Sequence, residues 1–136
     1  MQLNPYLSFK GDCEAAFNFY AQHLGGKIDA MMPYAGSPME VEVPADWHHK
    51  ILHAHLTLDN WILMGSDCLP EQYEAPQGFS VSIQIQDPTK AEHLFQVLAK
   101  NGTVQLPIHE TFWATRFGML VDPFGIPWMI NCDKTI

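Results

Sequence analysis

The chain has 136 residues and a mass of 15.4 kDa, the size of one compact domain. Hydrophobic residues make up 47% and charged residues 16%, which is enough apolar material for a core and too little charge for a disordered tail. The formal net charge is −8 and Arg116 is the single arginine, so no basic stripe exists to neutralise a phosphate backbone and nucleic acid is excluded as a partner. The opening MQLNPYLSF has neither the basic start nor the apolar run of a signal peptide. No apolar run approaches the ~20 residues of a membrane span, so a cytoplasmic protein with no membrane partner is expected. Cys13, Cys68 and Cys132 are odd in number and lack CxxC spacing, which fits reduced thiols.

Along the chain, Leu3–Phe9 alternates apolar and polar residues and predicts a half-buried strand with Leu3, Leu7 and Phe9 inside. Asp12 can cap a following helix with Ala16, Phe19, Tyr20 and Leu24 at helical spacing, and Gly25-Gly26 stops it. Three strands follow, at 27–34, 51–58 and 61–66. The pattern then repeats: a strand over 79–85, Asp87-Pro88 opening a helix to Lys100, an Asn101-Gly102 stop, and strands at 103–108, 115–121 and 126–131. A 76-residue shift lays Ala15 on Ala91, Phe19 on Phe95, Gly26 on Gly102 and Ile28 on Val104, the mark of an internal duplication. The span from Gly26 to Met64 exceeds that from Gly102 to Met129 by 11 residues, which is the Pro-rich loop 35–49. Residues 65–78, with Pro70 and Pro76, read as the linker. One domain over 1–136 is expected, built from modules 1–67 and 78–132.

Successive strand residues face opposite ways. Leu52, Ala54, Leu56 and Leu58 should therefore lie under the first helix, with His53, His55 and Thr57 on the other face. Val81, Ile83 and Ile85 should be buried opposite Ser80, Ser82 and Gln84, matched by Asn4, Tyr6 and Ser8 in the first copy. The same parity groups Arg116 with Gly118 and Leu120, and that side is taken as part of the polar lining.

Several runs resemble the glyoxalase/bleomycin-resistance/dioxygenase (vicinal oxygen chelate) superfamily, and within it the PhnB-like branch. They are Gly11-Asp12-Cys13-Glu14-Ala15-Ala16-Phe17-Asn18-Phe19-Tyr20, His53-Ala54-His55-Leu56, Leu63-Met64-Gly65-Ser66-Asp67, Thr111-Phe112-Trp113 with Phe117-Gly118, and Asp122-Pro123-Phe124-Gly125-Ile126-Pro127-Trp128-Met129-Ile130. The resemblance covers residues 6–130. It implies an α+β fold of two β-α-β-β-β modules forming curved mixed sheets around a cleft, and a homodimer. It also implies metal ligands on the opening and closing strands of each half. Those positions carry Asn4, Met64, Ser80 and Met129 here, a set unsuited to a hard divalent ion, so no metal and no cofactor are expected. The branch also carries a demethylubiquinone methyltransferase label, for which this chain lacks the alternating parallel β-α order and glycine-rich first turn of a nucleotide-type donor site.

The expected function is binding of a small organic molecule in a cleft lined by Tyr6, His53, His55, Ser80, Ser82, Trp113 and Arg116. His53 and His55 point the same way and suit a general base or a relocated metal site, with an acid drawn from Glu40, Glu42 or Asp67. That arrangement would make a metal-dependent lyase, isomerase or dioxygenase-type enzyme; a drug-sequestering resistance protein is the other alternative. Arg116 can clamp a carboxylate or phosphate, or pair with a surface acid. Cys13, in the first helical turn, is either a reactive thiol or a small buried apolar residue.

Overall fold

Pro5 has no N–H to give a ladder, and the first strand begins just after it. The computed structural model, described here over residues 1–134, orders the chain as β1 (Tyr6–Phe9), α1 (Cys13–Leu24), β2 (Lys27–Pro33), β3 (Ile51–Leu58) and β4 (Trp61–Asp67), then β5 (Val81–Gln84), α2 (Pro88–Ala99), β6 (Thr103–His109), β7 (Ala114–Val121) and β8 (Pro127–Asp133). Leu3, expected inside, lies outside β1 and is 96% exposed. β4 covers the expected strand 61–66 and runs one residue further, to Asp67, so it overlaps the start of the expected linker 65–78.

The chain divides into two compact units between Glu74 and Ala75. Each holds an open four-stranded mixed sheet, ordered β1-β4-β3-β2 in the first and β5-β8-β7-β6 in the second. The pairs β1·β4 and β5·β8 are parallel and the rest antiparallel. This is the expected α+β arrangement of two β-α-β-β-β modules.

The registers are those of a duplication. Tyr6 pairs with Met64 as Ser82 pairs with Met129, and Met64 pairs with His55 as Met129 pairs with Met119. Ile28 opposes Leu56 as Val104 opposes Leu120, and each of these pairs is followed by a bulge, centred on Asp29 and on Gln105. Gly26 and Gly102 serve both copies alike. A Cβ at Gly26 would sit 2.8 Å from the Thr57 carbonyl oxygen, and one at Gly102 would sit 2.2 Å from that of Val121, its counterpart.

The helices depart from the 76-residue shift. The buried stripe of α1 is Cys13, Ala16, Phe17 and Tyr20, and that of α2 is Ala91, Leu94, Phe95 and Leu98. Phe17, not Phe19, is therefore the partner of Phe95, and Ala15 is exposed. Both stripes have the i, i+3, i+4, i+7 spacing of one helix face, but they are offset by two residues relative to the strands. Against α1 the first sheet buries Leu7, Phe9, Ala54, Leu56 and Leu63. In the second, Val81, Ile83 and Ile85 are half-buried rather than buried, while Ser82 and Gln84 are exposed, so the expected parity holds.

The two helices also start differently. Asp12 makes no side-chain cap bond. The backbone N–H groups of Gly11 and Cys13 instead donate to Asp67 Oδ1, both at 2.9 Å, and Ile51 N–H donates to Asp67 Oδ2 at 2.9 Å. Tyr34 adds its hydroxyl to the Asp67 carbonyl at 2.6 Å. This carboxylate is 1% exposed and ties the end of β4 to the starts of α1 and β3. In the second module Asp87 caps its own helix through Thr89 N–H and Lys90 N–H, as the sequence predicts.

Removing the Asp67 acceptor leaves three backbone donors without it. Asp67→Ala is expected to cost about 3–5 kcal/mol in urea unfolding, against about 1 kcal/mol for Asp87→Ala, the loss of an ordinary cap. Equal costs for the two variants would contradict this division of roles.

Candidate functional site

In β3, Ala54 and Leu56 are fully buried against α1, and His53, His55 and Thr57 occupy the opposite face, half-buried. Strand parity therefore creates a polar strip on the side of the sheet away from the helix. Tyr6 joins it from β1, because β1 and β3 flank β4 and the pairings place Tyr6, Met64 and His55 on one rung. The Tyr6 hydroxyl lies 3.1 Å from His53 Nδ1, and the two rings stack with centroids 5.8 Å apart.

Asp29 supplies a carboxylate that sequence reasoning missed. Residues 28 and 30 of β2 oppose the adjacent residues Leu56 and His55, so Asp29 is the extra residue of a β-bulge. Such a bulge re-aims a side chain that simple alternation would misplace. Asp29 Oδ2 lies 3.1 Å from His55 Nδ1 and also accepts a hydrogen bond from the Thr57 hydroxyl. The Thr57 bond, the largest cause, holds the Asp29 carboxyl below its ordinary range against the opposing desolvation, helped by the His55 bond and the charges of His55 and Lys27. The rings of His53 and His55 are 6.4 Å apart. The result is a chain of contacts, Tyr6–His53 beside His55–Asp29–Thr57, on one sheet face.

Two of the acids expected to serve the histidines, Asp67 and Glu40, are otherwise engaged. Asp67 is consumed by backbone donors, and Glu40 accepts from Gly36 N–H at 2.7 Å and pairs with His48 at 3.6 Å within its own loop. Cys13 is fully buried, and burial, followed by the charges of Asp67, Asp12 and Glu14, pushes its thiol far up, which fits a packing role rather than a nucleophile.

Arg116 requires a correction. Its Nε donates to Glu92 Oε1 of α2 at 2.9 Å, and its Nη1 donates to the Thr115 carbonyl at 2.7 Å. Its face companion Leu120 is fully buried, and a Cβ at Gly118 would strike the Phe95 ring of α2 at 2.6 Å. That side of β7 is thus the helix side. The expected sharing of a face with Gly118 and Leu120 was right, but that face is not the polar one, and the guanidinium already has its acid.

On the other face of the second sheet, Phe117 and Met119 stand where His53 and His55 stand in the first. Trp113 packs edge-on to Phe117 at 5.2 Å and donates its indole N–H to Asn131 Oδ1 at 3.2 Å. Asn131 donates in turn to Gln84 and Asp133, both at 2.7 Å. Ser82 accepts from Gln84 at 3.2 Å, and Ser80 lies just before β5. The second module therefore presents an aromatic and amide surface where the first presents imidazoles.

The whole-chain likeness agrees with this geometry. The model of the Glyoxalase/Bleomycin resistance protein/Dioxygenase superfamily matches residues 2–130. The chain belongs to that superfamily. It is 32% identical to protein YjdN of Escherichia coli over 98% of this chain and 97% of that protein. The crystal structure of protein PA1353 from Pseudomonas aeruginosa superimposes with a TM-score of 0.90 at 46% identity, covering 99% of both chains. A PhnB protein from Bacillus cereus, whose name also carries a 3-demethylubiquinone-9 3-methyltransferase label, shares the fold with a TM-score of 0.83 at 21% identity over 97% of this chain and 99% of that one. The expected PhnB-like resemblance is borne out.

The positions at which the resemblance implies metal ligands carry side chains that do not suit a divalent metal. Met64 lies between Tyr6 and His55, Met129 lies between Ser82 and Met119, and the Asn4 amide bonds Gln2 at 3.4 Å. Thioethers and a serine hydroxyl are poor donors for the hard or borderline divalent ions that oxygen and imidazole sites hold. Among the described residues no group of three or more His, Cys, Asp or Glu side chains is placed to hold an ion elsewhere. No helix among them is long and apolar enough to cross a membrane.

Thr57→Val removes the largest cause of the Asp29 shift. Carboxyl-carbon NMR titration is expected to show the Asp29 midpoint moving up toward the ordinary carboxylate range. Because the folded-state value is the lowered one, any stability it contributes is present above the unfolded value and lost as pH falls through the folded value. An unmoved midpoint would show that Thr57 does not hold this carboxylate.

Proposed function

We propose that this protein binds a small organic molecule on the polar face of its first sheet, using Tyr6, His53 and His55, and does so without the superfamily metal. The observation that carries this reading is the Tyr6–His53 and His55–Asp29 pairing on a face opposite to the packed helix. Side chains ordered by hydrogen bonds on an exposed sheet face do little for the core, yet they are suited to recognising polar atoms of a ligand. Within the second module, Ser80, Ser82 and Trp113 offer hydroxyl and aromatic groups that suit polar and planar parts of a small organic molecule. We further propose a homodimer and a cytoplasmic location, readings that rest on family likeness and composition.

Each of the two imidazole rings on this face has one protein partner, at its Nδ1. A metal-dependent reading would require at least a third ligand, and Asp29 already serves His55 and Thr57. Arg116 is left out of the binding set because Glu92 holds it.

Native mass spectrometry of the protein purified without denaturation is expected to reveal an organic adduct. His53→Ala and His55→Ala should each lower its occupancy by about tenfold, the scale of one or two lost hydrogen bonds. Arg116→Ala should leave occupancy unchanged. An adduct retained in both histidine variants and lost in Arg116→Ala would overturn this reading.

A further inference from the structure

The two histidines have different kinds of partner. His55 Nδ1 faces Asp29 Oδ2, an oxygen that only accepts, so in the neutral ring the proton sits on Nδ1 and Nε2 is left as a bare acceptor. The Thr57 hydroxyl donates to the same oxygen and keeps the carboxylate turned toward the strand. His53 Nδ1 faces the Tyr6 hydroxyl. A phenol is the stronger hydrogen-bond acid of that pair and an imidazole nitrogen the stronger base, so the phenol donates, and the neutral His53 ring carries its proton on Nε2.

We propose that Asp29 and Tyr6 fix opposite tautomers on His55 and His53, making the pair a recognition site for a ligand edge with a hydrogen-bond donor and an acceptor on neighbouring atoms, as in an amide or lactam. This rests on the binding reading above and names the ligand chemistry it would select. His55 Nε2 takes the ligand's N–H or O–H, and His53 Nε2–H gives a hydrogen bond to the ligand's carbonyl oxygen. The ring centroids are 6.4 Å apart. Two hydrogen bonds of about 2.9 Å converging on atoms one bond removed from a shared carbon bridge a gap of that order. Asp29 touches no ligand in this arrangement and is a positioning residue. The charged or titratable groups facing the pair are Tyr6, Asp29 and, through Asp29, Lys27.

The Met64 and Thr57 side chains on the same face leave no competing charge. The equivalent positions of the second module, Phe117 and Met119, cannot reproduce such a pair, so the selectivity belongs to the first module alone.

The test combines long-range proton–nitrogen NMR of the imidazoles with titration by two probes, 2-pyridone and 1-methyl-2-pyridone. At a pH where both rings are neutral, the expected spectrum shows His55 protonated at Nδ1 and His53 at Nε2. Asp29→Ala should return His55 to the Nε2–H form usual in water, and Tyr6→Phe should leave His55 at Nδ1–H and His53 mainly at Nε2–H, with only its minor Nδ1–H fraction growing. 2-Pyridone should shift both rings, and blocking its N–H with a methyl group should weaken binding at least tenfold. The same tautomer on both rings, or a His55 tautomer unmoved in Asp29→Ala, would overturn the inference. Equal affinity for the two probes would overturn it too, while leaving the small-molecule reading in place. Probe shifts confined to residues away from Tyr6, His53 and His55 would contradict both.

Discussion

The carboxylate of Asp67 sets the geometry of the first module. At the end of a strand, inside the protein, it accepts three backbone N–H groups from segments far apart in sequence, at Gly11, Cys13 and Ile51. A buried anion is tolerated only when its oxygens are satisfied in this way, and the donors it satisfies would themselves be costly to leave unpaired. The arrangement fixes where α1 begins relative to β4 and where β3 enters the sheet. It thereby fixes which residues of β3 turn away from the helix, and those are His53, His55 and Thr57.

The second module meets the same need by other means. The residue corresponding to Asp67 is Cys132, whose thiol bonds the Gln86 carbonyl at 3.3 Å, and α2 is capped by its own Asp87. The helix stripe is displaced by two residues as a consequence of this different entry, although the strand registers remain in step. Duplication has preserved the backbone ladder, which is held by hydrogen bonds indifferent to side chains, and has released the faces to diverge. One copy carries imidazoles and the other Phe117 and Met119, on equivalent rungs of equivalent sheets. The shared bulge carries the same divergence, with Asp29 in one copy and Gln105 in the other.

Much of this could be read from the residues. Alternation in 51–58 and the glycine stops located strands and helices closely, and the family runs pointed to the fold. Three features escaped for physical reasons. Phe17 and Phe19 differ by two helical positions, and composition cannot tell which of them meets the sheet when the entry to the helix is set by a distant Asp67. Arg116 was assigned to the right parity class but the wrong side, because Gly118 reads as neutral in a hydropathy pattern, whereas its missing side chain is what admits Phe95 from α2. Asp29 was invisible as a partner of His55 because a bulge breaks the alternation on which face assignments depend. Its one available signal was the recurrence of a polar residue at the equivalent bulge, Gln105.

On the proposed reading, the polar face of β3, and not the lone arginine, is where a ligand is recognised. Crystals soaked with a chemically diverse fragment set test it most directly. Fragment density is expected within hydrogen-bond distance of His53 Nε2 or His55 Nε2, with the Arg116–Glu92 pair undisturbed. Fragments gathered at Arg116 with its bond to Glu92 broken, and none at the histidines, would contradict it.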